Sequence, residues 1–318
     1  MREPLRVLAA AALRWATRLS GRRVGVVLVY HAVGPRGGDR TRELVPAHSI
    51  ATLAAQLEHA RRRYRPVRAS EIRRAVAERR RGGRIPLAVT FDDDLGSHVE
   101  HAAPVLARLG LSATFFVTGA GLDGPAEFWW QRLQRVADRG LRAAERERLV
   151  GLLGAEPAPR PGRSAELALG RAIEQAPPDV RDAIDAELGH LAGPPPDPGL
   201  SAAGLSALVA GGHDIGFHTA RHYRLTTLED AALARAMTEG RDAVAAAAGS
   251  APRLLAYPHG RADERVAAAA RAAGFDAAFT TVPHPVEPAI DPWRLPRAEP
   301  SFRTPGHFAL QLAQIVSG

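Results

Sequence analysis

The sequence predicts an α/β fold, a distorted (β/α) barrel of about seven parallel strands with a helical insertion. Seven short apolar runs alternate with stretches of helical periodicity, the pattern of strand and helix units around parallel strands. The polar residues with chemistry to offer sit just beyond the ends of those runs. The alternation fails only between Gly119 and Ser201, too long a stretch for a structureless loop, so a helical insertion at about residues 120–200 is expected there.

Taken in order, Met1 to Arg23 reads as a basic N-terminal helix. Its apolar stretch Val7 to Leu13 is too short to span a bilayer, is followed by more arginine and lacks a clear small-residue cleavage site. A cytoplasmic or membrane-peripheral location is therefore favoured over secretion. Leu5, Leu8, Ala12 and Trp15 share one helical face, expected to pack on the domain or to rest on a membrane surface, packing being the simpler reading.

Residues 24–318 form the main domain, with strands expected at Val24 to Tyr30, Tyr64 to Val67, Pro86 to Phe91, Ala113 to Thr118, Asp214 to Phe217, Leu254 to Tyr257 and Ala277 to Thr281. That count suits a barrel with one strand missing or open. Ser97 is positioned to cap a helix through Leu109 that Gly110 stops, and Thr226 with Glu229 forms a capping box before a long alanine-rich helix. The insertion holds Phe128-Trp129-Trp130, charged helical sequence through Leu153, a proline-rich joint from Pro157 to Pro161, a second helical stretch and Pro194-Pro195-Pro196.

Composition sets the outer limits. With 318 residues, 46% of them apolar, the chain can bury a full core. It has no cysteine, so disulfides and thiolate chemistry are excluded and any tight metal site must use histidine and carboxylate. The formal charge is +8 and all 42 basic residues are arginine, yet they are spread along the chain without the aromatic interleaving of a single-strand platform. No nucleic-acid partner is expected.

Two polar strings carry the chemistry: Thr90-Phe91-Asp92-Asp93-Asp94 and His218-Thr219-Ala220-Arg221-His222. Together they offer a base and three oxygen and nitrogen ligands of the kind a hydrolytic Zn²⁺ or similar ion takes, with positions left open for water and substrate. One aspartate would satisfy a helix N-terminus, whereas three adjacent ones need another reason. His31 follows the first strand, the aspartates the third, His218 the fifth, Pro258 to Gly260 the sixth and His284 the seventh, so these segments converge on the carboxyl end of the strands.

Val89-Thr90-Phe91-Asp92-Asp93, the His-Thr-x-x-His string and Tyr257-Pro258-His259-Gly260 resemble, in that order, the polysaccharide deacetylases with the NodB homology domain (carbohydrate esterase family 4). Tyr30-His31-Ala32-Val33 resembles the family's opening strand, and the likeness covers about residues 24–119 and 201–300. It implies that Asp92 is the general base and that Asp93, His218 and His222 hold one divalent metal ion, Zn²⁺ first among the transition metals. It implies an oxyanion site at Tyr257, Pro258, His259 and Gly260, through the backbone amide of His259, and an N-acetylated glycan or glycoconjugate as substrate.

The sequence departs from the family pattern in three places. Asp94 stands where the first motif has glycine, and aspartate tolerates positive φ better than most residues. Ala256 stands where many members have an arginine, and Arg297 is the alternative positive partner for Asp92. The late histidine motif that supplies the general acid has no convincing match, which leaves His31, His284 and His307, with His31 preferred for its strand-end position. His98 and His213 read as supporting or structural. Trp129 and Trp130 read as anchors of the insertion, at most one of them reaching a sugar face.

The expected activity is therefore metal-dependent removal of acetyl groups from N-acetylated sugars. Two rivals remain: an inactive carbohydrate-binding domain of the same fold, and a metal hydrolase of another small amide or ester. A long open groove would favour a polymer substrate, and a closed pocket under the insertion a small one.

Overall fold

The computed structural model describes residues 2–158, 164–196 and 199–318. Seven strands form one parallel sheet: β1 (Val26–Tyr30), β2 (Arg65–Pro66), β3 (Pro86–Asp92), β4 (Thr114–Val117), β5 (Asp214–Phe217), β6 (Leu254–Ala256) and β7 (Ala277–Phe279). The order is β1-β3-β4-β5-β6-β7, with β2 pairing the start of β3. This is the expected distorted barrel.

No ladder joins β7 to β1 among the described residues. The seam is closed instead by Leu295–Ala298, where Leu295 bonds to Ala278 and Thr280 (2.9 and 2.8 Å) and Ala298 to Val27 and Val29 (2.9 and 3.1 Å). The open position in the strand count is filled by an irregular segment that sequence periodicity does not reveal.

Alternation along β3 sorts its residues between two cores. Leu87, Val89 and Phe91 join the large cluster beneath the helices, while Ala88 packs with Val27, Phe116, Ala256, Phe279 and Leu295 in a second cluster. Thr90 and Asp92 share the parity of Ala88 and so face the barrel interior. Small residues at 88 and 90 leave room there.

Two helices differ from expectation. Ser97 caps nothing; its Oγ accepts from the amide of Val33, and the chain instead enters the helix Ala103–Leu109 through a widened turn over His98–Ala102. Pro104, which has no N–H to donate, sits at the start of that helix. Gly110 ends it at φ 62° as expected. The long alanine-rich helix is broken into Asp230–Ala236 and Arg241–Ala248, because Gly240 turns left-handed at φ 78° between them, and no side-chain cap comes from Thr226 or Glu229.

Between β4 and β5 lie the helices Trp129–Asp138, Ala143–Leu153, Ala165–Gln175 and Pro178–Ala192. They share their own apolar cluster, in which Trp129, Trp130, Leu133 and Leu149 meet Leu169, Ile173, Ile184 and Leu188. Part of the proline-rich joint, Pro159 to Pro161, lies outside the described residues.

The N-terminal helix Glu3–Ser20 packs on the C-terminal helix Pro305–Ser317 through Ala10 and Leu13 against Ala309, Leu310 and Ala313. That is the face opposite to Leu5, Leu8, Ala12 and Trp15, which stay exposed. Among the described residues no helix is long and apolar enough to cross a membrane.

Buried imidazoles link stability to pH. His98 lies between the rings of Phe91 and Phe115, and His48 against Tyr30 and Phe302; burial pushes each down to about 4. The unfolded chain takes up these protons below about 6.5 while the folded chain does not, so their stabilisation is complete above that pH and is lost as pH falls toward 4. Urea midpoints are expected to fall between pH 7 and pH 5, and to fall less in His98→Gln.

Candidate active site and metal centre

The inward parity of β3 delivers Asp92 to the carboxyl end of the barrel, and the fully buried Arg297 meets it there from the closing segment. The guanidinium is bidentate, Nη1 to Oδ1 and Nη2 to Oδ2, both at 2.6 Å. It also donates to Thr90 Oγ1 (3.1 Å) and to the carbonyl of Thr280 (3.1 Å). Burial alone would raise the Asp92 carboxyl, but Arg297, with help from His218, holds it below its ordinary value. Asp92 is therefore an ionised carboxylate with almost no exposed surface.

Beyond Asp92 the chain turns left-handed at Asp93, φ 76°. The loop after β5 does the same at Thr219 (59°) and His222 (47°), and the loop after β6 at His259 (58°). Among the described residues these four are the non-glycine positions with positive φ, and all lie in the loops around one cavity. Strain of this kind costs about 1–3 kcal/mol per residue and persists only where the surroundings impose it.

What the turns achieve is convergence. His218 Nε2 and His222 Nε2 lie 3.5 and 3.4 Å from Asp93 Oδ1, and the three side chains are buried. His218 donates from Nδ1 to the carbonyl of Ala256 (2.8 Å), which turns Nε2 toward the cluster. Asp93 Oδ1 is buried without a hydrogen-bond donor. Ligand atoms about 2.0–2.1 Å from a shared tetrahedral ion sit about 3.3–3.4 Å apart, so the donor set and the two spacings from Asp93 fit a divalent cation of the zinc type. Asp92 Oδ2 is 4.0 Å from His218 Nε2, beside the cluster.

Asp94 is not part of it. Its carboxylate accepts from the amides of Thr118 (2.6 Å), Gly119 (2.8 Å) and Ala120 (2.9 Å) and from Thr118 Oγ1 (2.8 Å), tying this loop to the one after β4. The left-handed residue expected at 94 is Asp93 instead, and Asp94 serves as the anchor that fixes the turn.

The cavity over the cluster measures about 450 Å³. Its floor includes His31, Asp92, Asp93, His218, His222 and His259. Its roof comes from the loop carrying Arg40, Glu43, Leu44 and His48 and from the inserted helices, through Trp129, Trp130, Leu167 and Glu174. Leu44 lies so close to Gly170 that a Cβ there would fall 2.3 Å from Leu44 Cδ2. Arg181, from the helix Pro178–Ala192, donates to the carbonyls of His222 (2.6 Å) and Arg221, so the insertion holds the second histidine's loop in place.

The structure thus brings Asp92, Asp93, His31, His218, His222, His259, Gly260 and Arg297 to one place. Tyr257 and Pro258 are buried behind it: the Tyr257 hydroxyl donates to the carbonyl of Trp293 (2.7 Å), and neither residue lines the cavity. Gly260 is required where it stands, because at φ 64° a Cβ would meet Thr281 Oγ1 at 1.8 Å. His284 is exposed and bonded to the carbonyl of Pro285, and His307 pairs with Thr304 at the start of the last helix; both lie off the cavity. Both tryptophans anchor the insertion's apolar cluster, as expected, and both also line the cavity; Trp130 packs its ring 4.7 Å from that of His222 while stacking on Phe128. His48 and Glu174 were not legible as site residues, since each is placed by a loop or inserted helix with no motif of its own, and His259, named for its backbone amide, also turns its side chain to the cavity.

A parallel distorted barrel with an aspartate and histidine cluster at its carboxyl end is an α/β fold with a candidate metal site on its functional face. The polysaccharide deacetylase family model matches residues 79–145 and 173–278, more than half of the chain, and the chain belongs to that family, hydrolases acting on carbon–nitrogen bonds other than peptide bonds. No curated protein sequence matches it. Among solved structures the chain is similar to Streptococcus pyogenes deacetylase PplD in complex with acetate (TM-score 0.60, 14% identity, 91% of this chain and 98% of that one). It is also similar to IcaB from Ammonifex degensii (TM-score 0.57, 21% identity, 93% and 97%) and to a polysaccharide deacetylase from Bacillus cereus (TM-score 0.57, 16% identity, 92% and 69%). These likenesses establish the shared fold.

The Asp92–Arg297 pair carries stability as well as placement. Arg297→Ala leaves an uncompensated buried carboxylate and is expected to cost about 3–5 kcal/mol in denaturant unfolding. Adding Asp92→Asn to Arg297→Ala should recover a large part of that loss, which a double-mutant cycle measures.

Proposed function

We propose that this chain is a metal-dependent deacetylase that hydrolyses the N-acetyl amide of an amino sugar in a polysaccharide or glycoconjugate. The observation that carries the proposal is the convergence of Asp93, His218 and His222, with an unsatisfied buried carboxylate oxygen, beside the Arg297-paired Asp92. Asp93, His218 and His222 would hold one divalent cation, Zn²⁺ being the best match to two imidazoles and a carboxylate. Such a cation supplies Lewis acidity toward the amide carbonyl and toward water.

The chain's own residues supply the rest. Asp92, kept ionised by Arg297, is the general base that takes a proton from the attacking water. Arg297 orients it by occupying both carboxylate oxygens. The backbone amide of His259, in the tight turn that Gly260 permits, is the donor for the developing oxyanion. His31, at the end of β1 and on the cavity floor, is the imidazole that hands a proton to the leaving amine. His284 and His307 are set aside for this role by their distance from the cavity.

The roof bears on the substrate. A cavity of about 450 Å³ closed on one side by the inserted helices is in the lower range of small-molecule sites, and Trp129, Trp130 and Phe302 give it aromatic walls beside charged rim residues. This supports a substrate that presents a single sugar unit, such as a chain end or a small glycoconjugate, over the interior of a long polymer.

Metal content and acetate release test the proposal together. Asp93→Ala and His218→Ala should lose bound metal, measured by elemental analysis, and with it acetate release from N-acetylated oligosaccharides. Asp92→Asn should keep its metal and lose about 10²–10⁴-fold in kcat. Undiminished turnover in Asp92→Asn would remove it as the base, and metal binding without acetate release in the unmodified chain would favour a binding domain.

A further inference from the structure

The N-terminal helix Glu3–Ser20 is clamped to the body of the protein by one face and leaves the other without a partner. Leu5, Leu8, Ala12 and Trp15 recur at intervals of three and four residues and so form one stripe, with Leu8 66% and Trp15 61% exposed. Leu5, at one edge of the stripe, is about half exposed. A contiguous stripe of this kind on a soluble surface marks an interaction site.

Charge borders the stripe. Arg14 and Arg18 project from the same helix, Arg18 donating to the carbonyl of Gly82, and Arg81 lies against Gly21 at the helix end. Partial burial and the charges of Arg63, Arg18 and Arg84 together hold the Arg14 guanidinium below its ordinary value, which places these four cations in one electrostatic neighbourhood. Among the described residues no carboxylate lies within 4.0 Å of Arg14, Arg18, Arg63, Arg81 or Arg84, although arginines elsewhere are extensively paired, as Arg22 is with Glu287. The cluster is concentrated positive charge beside exposed apolar side chains.

We propose that this face docks the protein on an anionic lipid surface, the helix lying in the plane of the interface with Leu5, Leu8 and Trp15 among the acyl chains and the arginines at the headgroups. A second copy of the chain is the poorer occupant, because a twofold contact through this face would set the arginine cluster against itself. An anionic membrane complements both features at once. Arg81 and Arg84 precede β3, whose far end carries Asp92, so docking by this face puts the lipid surface at the opposite end of the strand from the cavity and leaves the cavity accessible.

Sedimentation of the full chain with vesicles of phosphatidylcholine, alone or with one third phosphatidylglycerol, tests the proposal. The unmodified protein should bind the anionic vesicles at least about tenfold more tightly than the neutral ones, and binding should weaken with salt. Trp15 is the exposed tryptophan, and its emission should shift to the blue on binding; the shift should be absent in Trp15→Phe. Leu8→Glu with Trp15→Glu, and separately Arg63→Gln with Arg81→Gln, should each lower vesicle affinity by about tenfold or more. Both double variants alter exposed residues far from the cavity, so their deacetylation of a soluble oligosaccharide should match the unmodified protein, which separates failure of docking from failure of folding. Equal binding by the Leu8→Glu, Trp15→Glu variant, no preference for anionic vesicles, or a concentration-dependent dimer that this variant dissolves would each overturn the proposal.

Discussion

The ion pair between Arg297 and Asp92 is the constraint on which the rest of the structure depends. A guanidinium with no exposed surface inside a barrel is tolerable only if its charge and its donors are matched, and Asp92, Thr90 Oγ1 and the Thr280 carbonyl match them. The pair also joins sequence-distant elements: Asp92 ends β3, while Arg297 belongs to the irregular segment that zips β7 to β1. Closing the barrel and setting the ionisation of the proposed base are thus one event. Ala256 offers no charge to this carboxylate, and the closing segment supplies it.

Around this fixed point the loops hold a strained arrangement. Asp93, Thr219, His222 and His259 all adopt left-handed backbone that side chains disfavour, and each lies in a loop with an identifiable brace. The Asp94 carboxylate collects four donors from the loop after β4, Arg181 grips the carbonyls of Arg221 and His222, and the carbonyl of Gly260 accepts from the amide of Thr281 (3.2 Å). Each brace lies outside the cluster it supports. The cost of holding a carboxylate and two imidazoles face to face is offset by hydrogen bonds made elsewhere.

The helices between β4 and β5 do more than fill a gap in the barrel pattern. Their own apolar cluster is built around Trp129 and Trp130, and the same two rings form part of the cavity wall against His222. Packing of the insertion and shape of the site are therefore coupled, and the Leu44–Gly170 contact couples the loop after β1 to the same roof. A substrate must fit beneath elements that the barrel itself does not require.

How much of this was legible in the sequence follows from the range of the interactions involved. Strand positions and the strings around Asp92, Asp93, His218 and His222 are local: short continuous apolar runs and residues just past strand ends suffice to name them, and β5 appears with the predicted bounds Asp214–Phe217. Arg297 could be named as a partner for Asp92 only through the absence of a nearer arginine. The anchoring role of Asp94, the burial of Tyr257 and the recruitment of His48 and Glu174 depend on contacts across the fold, and no period or motif encodes them. The same division holds for the N-terminal helix, whose amphipathic stripe is written in its sequence while the face that meets the body is decided by the C-terminal helix. The sequence by itself determined which groups could bind a metal and move a proton; the tertiary structure decided which of them meet, because bringing buried charges together requires partners that only the closed barrel and its inserted roof provide.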